Sequence, residues 1–170
     1  NNDPNPMDDN GHGTKVAGII ASRHTTARGI APNSKIIAVK VLNSASTGLF
    51  STTAAGIDWC ITNKNIYNIS IISMSFGSFA LYTPSSNPGF YEPSLASAYN
   101  NNIALIASAG NDGSTTSVSY PAVSPYVISV GATYDANISS FTFTSGSFSC
   151  TDSTTYADKR STRCRVILPN

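Results

Sequence analysis

Asp8-Asp9-Asn10-Gly11-His12-Gly13-Thr14-Lys15-Val16-Ala17-Gly18 is the stretch on which the reading of this chain turns. Three residues able to cap a helix, Asp8, Asp9 and Asn10, stand just ahead of a histidine held between two glycines, and Val16, Ile19 and Ile20 follow at helical spacing. The pattern predicts a short helix beginning near His12, with Ala17 and Gly18 keeping one side small enough to lie close against a sheet. His12 itself has three readings. It is a general base, because a neutral imidazole accepts a proton; it is a polar residue of the capping region; or it is a metal ligand together with Asp8 or Asp9.

Outward from that helix, strand-like and helix-like segments alternate. Ala31-Pro32-Asn33 breaks the chain, and the apolar run 35–42 predicts a largely buried strand. Gly48 and Ser51 precede a second helical pattern in which Ala54, Ile57, Asp58 and Ile61 run to Asn65. A strand over 69–76 ends at Gly77, a loop over 78–91 rich in Ser, Pro and aromatic residues leads to a helix over 92–101, and strands follow over 103–108 and 126–132. The Ser/Thr/Phe alternation of 139–148 reads as antiparallel and half exposed. Continuous apolar strands alternating with helices predict an α/β fold, a mostly parallel sheet with helices on both faces, which presents its functional groups at the carboxyl ends of its strands.

Composition narrows the function. The 170 residues suffice for one domain with a sizeable core. Charged residues make up 11%, against about 25% in ordinary soluble domains, and Ser, Thr and Asn are plentiful, which points to a secreted or cell-surface protein. A net charge of +1 gives no field strong enough to argue for nucleic acid or membrane lipid as the main partner, so neither is expected, and no apolar run reaches the roughly 18 residues of a membrane span. The opening residues are unlike a signal peptide, so a signal for export is expected outside these residues. Charge is also unevenly spread: residues 1–158 carry six basic against nine acidic side chains, and 159–170 add four more basic ones, which marks 159–170 as an atypical basic tail on a domain spanning 1–158. Cys60 sits among apolar helical neighbours and is expected to be buried, Cys150 and Cys164 enclose a polar loop that a disulfide would close, and none of the three cysteines has zinc-ligand spacing.

Two further places combine a strand end with small or polar residues. Asn111 follows an apolar strand, and its side-chain amide is either a donor to a developing oxyanion or part of an ordinary Asn-Asp-Gly turn. Ser75-Phe76-Gly77 offers backbone edges to an extended peptide, or simply ends a core strand.

Together and in this order, these pieces resemble the subtilisin-like serine proteases, whose catalytic histidine lies in a D-x-x-G-H-G-T-x-V-A-G pattern matched by Asp8, Gly11, His12, Gly13, Thr14, Val16, Ala17 and Gly18. The resemblance continues through Gly29-Ile30-Ala31-Pro32, Ala38-Val39-Lys40-Val41-Leu42, Met74-Ser75-Phe76-Gly77, Ala109-Gly110-Asn111 and Tyr120-Pro121-Ala122, nearly without interruption from Asp8 to about Ala132. It implies hydrolysis of polypeptide substrates through an acyl-enzyme. His12 would act as the base and Asn111 as the oxyanion donor, while Ser75, Phe76, Gly77, Ala109 and Gly110 would line the pocket for the residue before the scissile bond.

The departures matter as much. The family's aspartate, on a strand end upstream of the histidine, and its nucleophile in G-T-S-x-A-x-P have no match here; Asp3, Asp8 and Asp9 share the short segment of His12, and Ser147 leads to Phe148 and no helix. Lys15 stands where the family often has histidine. Residues 22–28 hold no carboxylate where many members carry a calcium loop, so no calcium is expected there, nor any cofactor. The expectation is the central part of a subtilisin-like endopeptidase domain, incomplete at both ends and inactive alone. Its rival is a non-catalytic remnant that binds peptides along Ser75 and the loop 78–91, and a metal-dependent hydrolase built on His12 is a third possibility.

Overall fold

The computed structural model describes residues 5–112, 114 and 116–131, and the backbone of 141–145 and 148–152. The chain divides into two compact units, Asn1–Asn68 and Ile69–Asn170.

In the first unit, helix α1 spans His12–Ala21 and starts where the sequence places it. Its carbonyl end is satisfied by the returning chain: the Ile30 and Ala31 N–H groups donate to Ile19 O (3.0 Å) and Ile20 O (2.7 Å). No residue of α1 is buried, Ile19 is 69% exposed, and a Cβ at Gly18 would meet nothing within 4 Å.

Helix α2, Phe50–Thr62, buries Thr53, Ile57 and Cys60, which at spacings of four and three share one face. Its first turn already contains Ser51, and the Asn63 side chain and backbone N–H both donate to Trp59 O where α2 gives way to α3, Lys64–Tyr67. The run 35–42 corrects the sequence reading: it forms no strand, and Ile36, Ile37 and Val39 are exposed. Apolar content alone does not make a strand, which needs a neighbour to complete its ladder, and among the described residues none pairs with this run. Val39 and Val41 instead reach α2 at Gly56, where an added Cβ would come within 3.2 and 2.7 Å of their Cγ1 atoms.

In the second unit, β1 (Ile71–Met74), β3 (Ala104–Ser108) and β5 (Ile128–Val130) form a parallel sheet in the order β1-β3-β5. Helix α4, Glu92–Asn100, makes the crossover from β1 to β3 and buries Leu95 and Ala98. Register brings Met74, Ala107 and Ser129 into one buried row, with Leu105 buried on the same face. The alternate positions point the other way, where Ile71, Ile128 and Val130 are between 48% and 58% exposed. Within the loop 78–91, β2 (Leu81–Tyr82) pairs antiparallel with β4 (Val118–Ser119). Farther on, β6 (Phe141–Ser145) and β7 (Phe148–Asp152) pair antiparallel, as the alternation of 139–148 predicts. Cys164 and the tail 159–170 lie outside the described residues, so the Cys150–Cys164 pairing and the domain boundary at 158 do too. Among the described residues no helix is long and apolar enough to cross a membrane.

Candidate active site

His12 is the first residue of α1 and is exposed. The chain reaches it through Gly11, whose φ of 90° lies in the left-handed region that glycine tolerates best. Asp8, four residues earlier, organises the helix start: its Oδ1 accepts from the N–H groups of Asn10 (3.0 Å) and Gly11 (2.8 Å), and its Oδ2 accepts from the Thr14 N–H (2.8 Å) and hydroxyl (2.6 Å). These bonds, the Thr14 hydroxyl foremost, hold the Asp8 carboxyl well below the usual aspartate range. Asn10 accepts from the His12 N–H (3.3 Å) and donates its side-chain amide to Ser44 O (2.8 Å). Asp9 pairs with Lys40 at 2.9 Å. Both carboxylates that a metal reading of His12 would recruit are therefore committed elsewhere.

The second group of predicted residues gathers beyond the ends of β1 and β3. Ser75 and Phe76 are half-buried and Gly77 is exposed, while Ala109 is buried, its N–H donating to Val130 O (3.0 Å) and its carbonyl accepting from the Ser119 N–H (3.0 Å). Gly110 has φ 109°, which a side chain would strain, and it turns the chain into exposed Asn111. Ser119 brings the two stretches together. A Cβ added at Gly77 would fall 2.8 Å from Ser119 Cβ, and one at Gly110 would lie 3.5 Å from the Ser119 hydroxyl, which donates to Ser108 O (3.4 Å).

Next to Ser119, Tyr120 fastens this region. Ser78 and Tyr120 exchange two hydrogen bonds, Ser78 N–H to Tyr120 O (2.8 Å) and Tyr120 N–H to Ser78 Oγ (3.0 Å). The buried Tyr120 hydroxyl accepts from the Tyr91 N–H (3.1 Å) and donates to Glu92 Oε2 (3.1 Å); Ser124 and Asn87 donate to Glu92 Oε1 (2.8 and 3.2 Å). The rings of Phe90 and Tyr91 stand edge-on to Tyr120 at 5.4 and 4.7 Å. Burial raises the Tyr91 and Tyr120 hydroxyls above their usual range, and the Glu92 charge adds to this in both. Sequence reasoning missed Ser119, Glu92 and Lys40. Their available signals were the Tyr-Pro pair beside Ser119, a carboxylate following two aromatic residues, and a lysine inside an apolar run.

The model of the subtilase family matches residues 1–161. The chain belongs to the subtilase family. Among curated proteins, this subtilase chain is 39% identical over 140 residues to the minor extracellular protease Epr of Bacillus subtilis (strain 168), covering 81% of the chain and 20% of Epr. It is 38% identical over 143 residues to subtilisin DY of Bacillus licheniformis, covering 81% of the chain and 48% of that protein. Among solved structures it resembles Sphericase with a TM-score of 0.62 at 29% identity, over 72% of the chain and 40% of that structure, in keeping with the predicted α/β fold. The chain thus spans about half or less of the length of these relatives.

Proposed function

We propose that this chain is part of a secreted serine endopeptidase that cleaves polypeptides through an acyl-enzyme, with His12 as its general base. The observation that carries the reading is the start of α1 in a subtilase chain: a histidine at the first helical position, its backbone braced by Asn10 and by the Asp8 cap. In this reading His12 takes the proton of a serine hydroxyl and later returns it to the leaving amine. Asn111 donates its side-chain amide to the tetrahedral oxyanion. Ser75, Phe76 and Gly77 form one wall of the pocket for the residue before the scissile bond and Ala109 and Gly110 the other, with Ser119 between them.

The acid that orients His12 and the serine nucleophile come, in this reading, from polypeptide other than residues 1–170, because no Asp-Ser/Thr-Gly and no Gly-Thr-Ser occurs within them. Secretion is supported by the low charge and by the similarity to a protein named as an extracellular protease. A serine-directed phosphonate tests the whole: it should leave the 170-residue chain unlabelled and label a longer product of the same locus, and labelling of the short chain would sink the reading.

A further inference from the structure

The run 35–42 lies outside any strand, yet one residue in it is held by more polar contacts than the rest. Lys40 has only 15% of its side chain exposed, and an ammonium so covered must find acceptors for its three N–H groups. It finds them in Asp9 Oδ2 (2.9 Å), Met7 O (3.1 Å) and Asn5 O (3.4 Å), that is, on residues 5, 7 and 9, every second position of one segment. A single charge thus sets the course of the chain just ahead of the helix. Asp8, between two of those acceptors, does not contact Lys40 through its carboxylate and turns it to Gly11 and Thr14 instead. Four residues beyond Lys40, Ser44 O receives the Asn10 side chain, whose Oδ1 in turn accepts from the His12 N–H. The turn bearing Ser44 is itself fixed by Asn43 Oδ1, which accepts from the Ala45 and Thr47 N–H groups and the Thr47 hydroxyl.

We propose that Lys40 is a positioning residue for His12, gripping residues 5–9 so that the Asp8 cap and the Asn10 bridge hold the imidazole-bearing turn in one place. It rests on the reading of His12 as the general base, but its test does not need catalysis.

The chain has two histidines, and His24 sits in a separate turn where its Nδ1 meets the Thr26 hydroxyl at 3.0 Å, so it serves as an internal control. In the 170-residue chain with 13C-labelled histidine, Lys40→Met should displace or broaden the His12 Cε1–H resonance and leave that of His24 in place. Exchange of the Gly11 and Thr14 amides should quicken about tenfold. Lys40→Arg, which keeps the charge and much of the reach, should return the His12 resonance toward its original position. An unmoved His12 resonance in Lys40→Met, or equal movement of His12 and His24, overturns the proposal. If Lys40→Met fails to fold, Asp9→Asn keeps the lysine stem in place and must displace the His12 resonance by itself; an unmoved resonance there overturns it too. Failure of the endopeptidase reading would look different: a longer product would keep full peptidase activity after His12→Ala, whatever the histidine spectra show.

Discussion

Gly77 rests directly against Ser119, with room for a hydrogen on its α-carbon and for nothing larger. Ser119 is buried and its neighbours Ala109 and Tyr120 are fixed by backbone hydrogen bonds, so it has nowhere to retreat. Gly77→Ala should therefore destabilise the second unit by about 1–3 kcal/mol, the usual cost of overfilling a packed site. Ser119→Gly removes the obstructing side chain, so the double variant should recover most of that loss. Urea midpoints of the four proteins in the cycle check this, and simple additivity would show that the two residues do not meet.

Tyr120→Phe deletes one hydroxyl and with it two bonds, the one accepted from the Tyr91 N–H and the one donated to Glu92 Oε2. A loss of about 1–3 kcal/mol in unfolding free energy is expected. The same hydroxyl, with that of Tyr91, ties stability to alkali. Both groups ionise less readily folded than unfolded, so their contribution is complete below the ordinary tyrosine value of 10.0 and is lost as pH rises through their higher folded-state values. Tyrosinate absorbance followed beside far-ultraviolet circular dichroism should show part of the tyrosine titration delayed until the chain unfolds.

Asp8 acts in the opposite direction. Its folded-state value is depressed, so its support of the α1 start is complete above the ordinary aspartate value of 3.8 and is lost only as pH falls through a much lower one. The Thr14 amide resonance should hold its position through mild acid, where ordinary carboxylates gain protons. In Asp8→Asn that pH dependence should vanish and the Thr14 amide should exchange faster at every pH.

Cys60 is buried on α2 and desolvation raises its thiol, which withholds the reactive thiolate. Iodoacetamide at neutral pH should leave Cys60 unmodified in the native chain and alkylate it fully in urea, as read by peptide mass mapping.

What was legible in the sequence was mostly local. The start of α1 could be read because Asp8, Gly11 and Thr14 satisfy one another within six residues, and β3 because an apolar run of strand length stands between a helix and a glycine turn. The predicted strands 69–76 and 126–132 overran β1 and β5 by two residues at each end, while 103–108 overran β3 only by its first residue, since the ladder stops where its neighbour stops and not where the apolar residues do. The run 35–42 was misread for the same reason: its composition states what it could bury, and only a partner decides whether it becomes a strand. The grip of Lys40 on Asp9 joins residues 31 apart, and the bond from Tyr120 to Glu92 joins residues 28 apart. Contacts at that separation leave no periodicity to read. The family pattern located the stretches Ser75–Gly77 and Ala109–Asn111, but not the side chain that stands between them.

The far end of α1 has its own use. The backbone folds back there as a small hairpin with Arg23 bridged to Arg28, and the Arg23 guanidinium donates to Pro32 O (2.9 Å), sealing its base. The last helical carbonyls are then taken by Ile30 and Ala31, beyond the hairpin, so the four residues 24–27 at its exposed tip bear none of the helix's termination. A tag or fluorophore spliced between Thr25 and Thr26 would therefore travel on an outer bend that the helix does not depend on, at the opposite end from His12.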